Sequence, residues 1–256
     1  LTTSPNSVVF TAANWNMPET VTVTAVDDAI AEGSHNGSVS HAVTSSDSAY
    51  NDLTVDVLTA TITDNDTAGI SVTPTSGLTT TEAGGTAAFT VVLSSQPTSE
   101  VSIGLSSSDT TEGTVSPTTL NFTPANWNQV QTVTVTGVDD PSVDGNVAYS
   151  IVTSAATSGD SAYNGTNPSD VGVSNSDNDV AGVTVTQSAG GTALTEDGAT
   201  DTYTLVLTSQ PATNVTVVIA ADAQLSAAPA PVVFTPATWD RPQMVTLTAV
   251  DDAVAE

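Results

Sequence analysis

The sequence predicts an all-β chain of immunoglobulin-like antiparallel β-sandwiches joined end to end in tandem. Three observations predict it. The same wording returns at a domain-sized spacing along the 256 residues. Within each copy, short runs alternate apolar and hydroxyl side chains, as in "TVTVTAV" from Thr20 to Val26. Gly, Pro, Asn, Asp and Ser separate those runs, and no segment keeps a helical period.

The spacing sets the organisation. Phe10, Phe122 and Phe234 each open "FTxAxW" and lie 112 residues apart, and Trp15, Trp127 and Trp239 keep the same period. "DNDTAGISV" from Asp64 returns as "DNDVAGVTV" from Asp177, 113 residues on. "TEAGGTAAFTVVLSSQP" from Thr81 returns as "TEDGATDTYTLVLTSQP" from Thr195, 114 residues on, so loops lengthen slightly. "SSDSAYND" from Ser45 returns as "SGDSAYNG" from Ser158. Solenoid repeats run roughly 20–50 residues, whereas this period is that of a domain with its own core. One repeat is complete, residues 67–179. The back part of another precedes it, residues 1–66, and the front part of a third follows, residues 180–256. The two part-repeats would leave open cores and bare strand edges. They are expected to be completed by a longer array or, less simply, by neighbouring copies.

The strands follow from the alternation. Val21, Val23 and Ala25 face one way and Thr22 and Thr24 the other. "AAFTVVLSS", "TYTLVLTS", "EVSIGLSS" and "NVTVVIAA" are further β-rich runs. About seven short strands per repeat suit a two-sheet sandwich. The alternation and a Trp in each repeat argue against disorder. Those tryptophans are expected to plug the ends of the cores.

The charge is one-sided. Acids number 28 against one basic residue, Arg241, for a net charge of −27, although only 11% of residues are charged. Nucleic acid and anionic membrane are poor partners for such a surface, while small cations are attracted. Without cysteine there is no disulfide, thiolate metal site or cysteine nucleophile. An extracellular home remains open to a domain with an adequate core. No apolar run reaches the ~18 residues of a membrane span, so no membrane insertion is expected in this segment. There is no lysine, and His35 and His41 both fall in the first part-repeat, so no catalytic pattern recurs and the chain is not expected to be an enzyme.

The acids recur with the strands. In "VDDAIAE" the strand ends at Val26, and Asp27, Asp28 and Glu32 follow, with the Ile30 carbonyl able to face the same centre. The second repeat has Asp139, Asp140 and Asp144, with Ser142 at the place of Ile30. Each repeat closes on Asp-Asn-Asp: Asp64 and Asp66, then Asp177 and Asp179. Earlier in the second repeat stand Glu82, Asp109 and, as a further candidate, Glu112. An antiparallel sandwich can bring these strand exits to one pole. Two like charges about 4 Å apart cost about 4 kcal/mol at an effective dielectric near 20. Bound cations relieve that cost, and raised carboxylate pKa values are the other route. Calcium, which takes roughly six to eight oxygens, suits such a set, with more than one ion expected per pole.

"TVTVTAVDDAIAE", the opening "TEAGG" and the closing "DND" resemble Calx-β domains, the calcium-binding sandwich modules of sodium–calcium exchangers and of tandem arrays in large bacterial surface proteins and adhesins. The resemblance spans essentially the whole chain. It implies calcium ligation by Glu82, Asp139, Asp140, Asp144, Asp177 and Asp179 in the second repeat. In the first it implies Asp27, Asp28, Glu32, Asp64 and Asp66, and in the third Glu196, Asp251, Asp252 and Glu256. Two departures stand out: Asn replaces the middle acid of the closing trio, and Asp144 is shorter than its sister glutamates.

The expected function is mechanical. Calcium at poles beside near-absent linkers would stiffen an array serving as an extracellular stalk, fibre or adhesin spacer on a bacterial surface. Its partners would be neighbouring repeats and, in a fibre, other copies of the chain. The alternative is a carbohydrate- or receptor-binding module, which would show exposed aromatics on one face.

Overall fold

A computed structural model describes residues 1–188 and 191–251. The described residues are all β, without an α-helix, and no helix is long and apolar enough to cross a membrane. The first segment holds β1 (Thr2–Ser4), β2 (Thr22–Thr24), β3 (His35–Val39) and β4 (Leu58–Ile62), paired antiparallel as β1–β2 and β3–β4.

The middle segment is a two-sheet sandwich. Its strands are β5 (Ile70–Thr73), β6 (Leu78–Thr81), β7 (Thr86–Leu93), β8 (Val101–Ser107) and β9 (Gly113–Ser116). They continue as β10 (Thr119–Phe122), β11 (Gln131–Gly137), β12 (Val147–Thr153), β13 (Thr157–Ser158) and β14 (Val171–Ser176). One sheet runs β5-β7-β11-β9; the other runs β10-β8-β12-β14-β6, with β13 also on β8. Val133 of β11 lies opposite Phe89 of β7, and Tyr149 of β12 opposite Val173 of β14. The pairing departs from pure antiparallel order at one place, because β14 and β6 run parallel. The chain reaches β6 by leaving the first sheet after β5 and joining the edge of the second, so its direction is set by the crossover rather than by a hairpin.

Alternation becomes burial. Along β8, Val101, Ile103 and Leu105 point inward, and along β11, Val133 and Val135 do. They meet Phe89, Val91, Leu120, Phe122, Tyr149, Ile151 and Val171 in one core. Each such side chain contributes about 1.5–3 kcal/mol on burial. Trp127 packs against this core from its margin, as expected of an end plug.

The last segment holds β15 (Val183–Gln187), β16 (Thr200–Leu207), β17 (Val215–Val217), β18 (Leu225–Ala228), β19 (Val232–Phe234) and β20 (Gln243–Ala249). They form sheets β15-β16-β20-β18 and β17-β19 around Leu205, Leu207, Val232, Phe234 and Val245, with Trp239 at the margin. The three equivalent phenylalanines differ in burial. Phe122 and Phe234 are both fully buried, while Phe10 is 53% exposed and Trp15 70%.

Candidate metal centre

Four strand exits converge at one pole of the sandwich. β6 ends at Thr81 and hands on to Glu82, while the turn between β8 and β9 carries Asp109 and Glu112. β11 ends at Gly137 and leads into Asp139, Asp140 and Asp144, and β14 ends at Ser176 just before Asp177 and Asp179. The parallel pairing of β6 with β14 is what brings Glu82 beside the closing aspartates, and the Glu82 N–H donates to the Ser176 carbonyl across 3.2 Å.

The carboxylates sort into two trios. Glu82, Asp177 and Asp179 each place an oxygen within 4.8 Å of the others, and so do Glu112, Asp140 and Asp144. Each trio has one buried glutamate, Glu82 at 3% exposure and Glu112 at 5%, with aspartates nearer solvent. Such burial is unusual for glutamate unless something pairs with it. The chain's one basic residue, Arg241, belongs to the next segment.

Main-chain donors shape the pole. Asp177 accepts from the N–H of Asp179 and of Gly145, each across 2.7 Å. Asp140 accepts from Ser142 N–H across 2.7 Å. Gly145 has φ +77°, a left-handed turn that glycine adopts freely and that aims its N–H at Asp177. Asn178 donates from its main chain to Glu82 Oε2 at 2.9 Å and from its side chain to Asp139 Oδ1 at 3.1 Å. Deeper in, Asn175 donates to Glu112 Oε2 and to the Val138 carbonyl, and accepts from the buried Thr80 hydroxyl. The second trio thus stands on a polar ladder rooted in the core.

The electrostatics divide accordingly. Burial raises the Glu82 and Glu112 carboxyls above their ordinary values, with nearby aspartates adding to it. Asp179 is raised by desolvation and then by Asp177, Asp139, Asp140 and Asp144. Asp177 is lowered by the N–H groups of Asp179 and Gly145. A pole that raises some carboxyls and organises others as acceptors suits a hard, oxygen-seeking divalent cation in each trio.

The other poles repeat parts of this plan. In the first segment Asp64 accepts from the N–H of Glu32, Gly33 and Asp66, across 2.7, 2.7 and 2.9 Å. Asp28 accepts from Ile30 N–H across 2.9 Å, and Asp66 is raised by desolvation and then by Asp64, Asp27 and Asp28. In the last segment Glu196 and Asp251 are exposed, and Asp252 and Glu256 lie outside the described residues.

Asp109 has a different place from the one its spacing suggested. It joins neither trio; its carboxylate accepts from the Thr111 hydroxyl and N–H, which lowers its pKa and shapes the turn that presents Glu112. Glu112 is the residue that reasoning from spacing ranked second. Its signal was the Gly113 that follows, a small residue buried at the start of β9. Ile30 and Ser142 contribute their N–H groups to the aspartates, while the carbonyls of Ala29 and Pro141, one residue earlier, bond to the next repeat.

No family model matches the chain, and no curated protein matches it. Among solved structures it is similar to CBD12 from CALX1.2, at 16% identity over 73% of this chain and 76% of that one, TM-score 0.34. It is similar to the apo-form Calx CBD1 domain at 18% identity, over 43% of this chain and 96% of that one, TM-score 0.34. It is also similar to the periplasmic chaperone SfaE at 10% identity, over 73% of this chain and 95% of that one, TM-score 0.34. Likenesses of this depth assign no role to any residue here.

Proposed function

We propose that this chain is a calcium-binding structural segment, in which ions at the repeat poles stiffen an array that serves as an extracellular stalk, fibre or adhesin spacer. The observation that carries the reading is the pair of carboxylate trios sharing one pole, each with a buried glutamate. Glu82, Asp177 and Asp179 would hold one ion and Glu112, Asp140 and Asp144 another. Calcium would supply the positive charge that lets these groups stay ionised together. The chain's part is to hold the oxygens: β6 and β14 fix the first set, and Asn175 and the Asp140 turn fix the second. The motif resemblance to Calx-β modules supports the same ion.

The mechanical half of the reading rests on the linkers. Asp66 and Asp179 are followed within four residues by the first strand of the next segment, β5 at Ile70 and β15 at Val183. An ion at the pole therefore lies beside the neighbouring repeat. Neighbouring repeats are the proposed partners, and the role is structural rather than catalytic. In the middle and last segments Trp127 and Trp239 pack against cores instead of lining a face, which favours this reading there over carbohydrate or receptor binding.

Thermal unfolding of the chain with calcium, with magnesium and with chelator tests the proposal. A calcium-specific rise in Tm is expected. Equal Tm in all three would remove the pole as a calcium site.

A further inference from the structure

The recurring "SSQP" and "TSQP" stretches, residues 94–97 and 208–211, take no part in the carboxylate trios. Both sit where one repeat meets the next, and each holds the first strand of its own repeat and grips the preceding repeat once. Ser94 N–H donates to the Gly69 carbonyl across 2.9 Å, and Thr208 N–H to the Gly182 carbonyl across 3.0 Å. These bonds lie within a repeat, continuing the β5–β7 and β15–β16 ladders one step past Ile70–Leu93 and Val183–Leu207. Two residues on, Gln96 N–H donates to the Ala29 carbonyl and Gln210 N–H to the Pro141 carbonyl, both across 2.6 Å. Ala29 and Pro141 each follow the paired aspartates of the preceding repeat. Ser142 and Gln210 also form a parallel bridge.

The gripping turn is itself firmly mounted. Gln96 Nε2 donates to the Pro124 carbonyl and Gln210 Nε2 to the Pro236 carbonyl, both across 2.8 Å. Between them Ser95 and Ser209 are buried, and Ser95 exchanges hydrogen bonds with the Tyr163 hydroxyl. The linkers lie tight against the turn: a Cβ at Gly69 would stand 3.1 Å from Ser94 Oγ, and one at Gly182 3.0 Å from Thr208 Oγ1.

A single tether between two rigid bodies leaves a swivel. Here the covalent linker leaves the pole after Asp66 or Asp179 and the Gln N–H bonds the carbonyl that follows the aspartate pair, so two connections to different strand exits of one pole remove that freedom. We propose that the Ser/Thr-Ser-Gln-Pro turn is a docking clamp whose partner is the acidic pole of the preceding repeat of the same chain. The chemistry it recognises is the carbonyl that follows an aspartate pair, in a turn held by Asp28 on Ile30 N–H or by Asp140 on Ser142 N–H. Because the clamp is made of main-chain groups, it sets the register between repeats with or without a cation.

The chain has no cysteine, so spin labels can be placed at will. Thr132→Cys with Thr216→Cys labels exposed strand positions on the second and third repeats; Thr216→Cys with Met244→Cys spans the two sheets of the third repeat alone, where Gln210 lies. Gln210→Pro removes the donor N–H, and Gln210→Ala keeps it. The expected result is loss of a single narrow inter-repeat distance in Gln210→Pro, in calcium and in chelator alike, with Gln210→Ala and the within-repeat distance unchanged. An unaltered narrow inter-repeat distance in Gln210→Pro would overturn the clamp. If the within-repeat distance also broadens, amide exchange in the unsubstituted chain decides. Gln96 and Gln210 N–H should exchange ~tenfold or more slower than exposed loop amides, and exchange at the loop rate would overturn it. A parent distance indifferent to calcium would weigh against calcium stiffening while leaving the clamp intact.

Discussion

Asn178 donates its main-chain N–H to Oε2 of Glu82 across 2.9 Å, joining residues 96 positions apart at the edge of the first carboxylate trio. Glu82 is buried, and Asp177, Asp140 and Asp144 all oppose its ionisation. Glu82→Gln keeps an acceptor for Asn178 but removes the charge. Its effect should reverse sign with calcium. In chelator at neutral pH the variant should melt higher than the parent, because a buried like charge is gone. In calcium it should melt lower, having lost a ligand, with calcium affinity down ~tenfold or more. Calorimetric scans and calcium titration of both proteins check this; a loss of stability in both conditions would mean that Glu82 is only structural.

The paired aspartates give a simpler contrast. Asp139→Ala with Asp140→Ala should leave the Tm in chelator nearly unchanged and remove most of the calcium-induced rise. Ligand present at about 100 times its Kd stabilises by about 2.7 kcal/mol, worth several degrees for a domain of this size. Equal melting of variant and parent in calcium would count against the pole.

The pH dependence of the metal-free chain follows from the directions at the pole. Glu82 and Glu112 titrate above their ordinary 4.5 in the folded state and Asp179 above 3.8, so these groups favour folding when protonated. That contribution is fully present below the ordinary values and is lost as pH rises through the raised ones. Asp177 and Asp160 are lowered, so their contribution is present above 3.8 and lost only as pH falls through lower values. In chelator, the Tm of the middle repeat should therefore climb as pH falls from neutral through the raised values, then fall in stronger acid below 3.8. Glu82→Gln should flatten the climb. A Tm that declines steadily from pH 7 downward would contradict the raised carboxyls.

Away from the pole, Tyr163 offers a control. Its hydroxyl donates to the Ser95 carbonyl across 2.7 Å and accepts from Ser95 N–H across 3.0 Å, at a fully buried site. Tyr163→Phe strands both groups and should cost about 1–3 kcal/mol. The loss should be the same with and without calcium, and chemical denaturation under the two conditions measures it.

The sandwich was legible because burial obeys the period of two: Val133 and Val135 read as inward in "TVTVTG" and are inward. The closeness of the acids was legible for residues at strand exits, where the run of alternation marks its own end. Ranking Asp109 and Glu112 was harder, because spacing shows which residues share a turn but not which one faces the pole. A local hydroxyl, Thr111, captures Asp109, and Glu112 lies buried beside Gly113 at the start of β9. The parallel β6–β14 pair was also hidden, since "TTTE" carries no sign of which sheet it will join.

The Asp-Asn-Asp close separates metal-free order from metal binding. A third acid at position 178 would add a charge to a pole that already holds two trios, yet the asparagine there donates from Nδ2 to Asp139 Oδ1 across 3.1 Å. That bond holds the first of the paired aspartates toward the closing loop. Asn178→Asp should replace it with a repulsion while leaving the main-chain bond to Glu82 in place. Since residue 178 is exposed, solvent screens much of the new charge, and the cost in chelator should be no more than about 1 kcal/mol. In calcium the added carboxylate lies beside both Glu82 and Asp139 and strengthens the attraction for the ion. The variant should therefore melt lower than the parent in chelator and show a larger rise on adding calcium. Parallel melts with and without calcium decide it: a variant destabilised equally in both would mean that Asn178 serves only to tie the loops together.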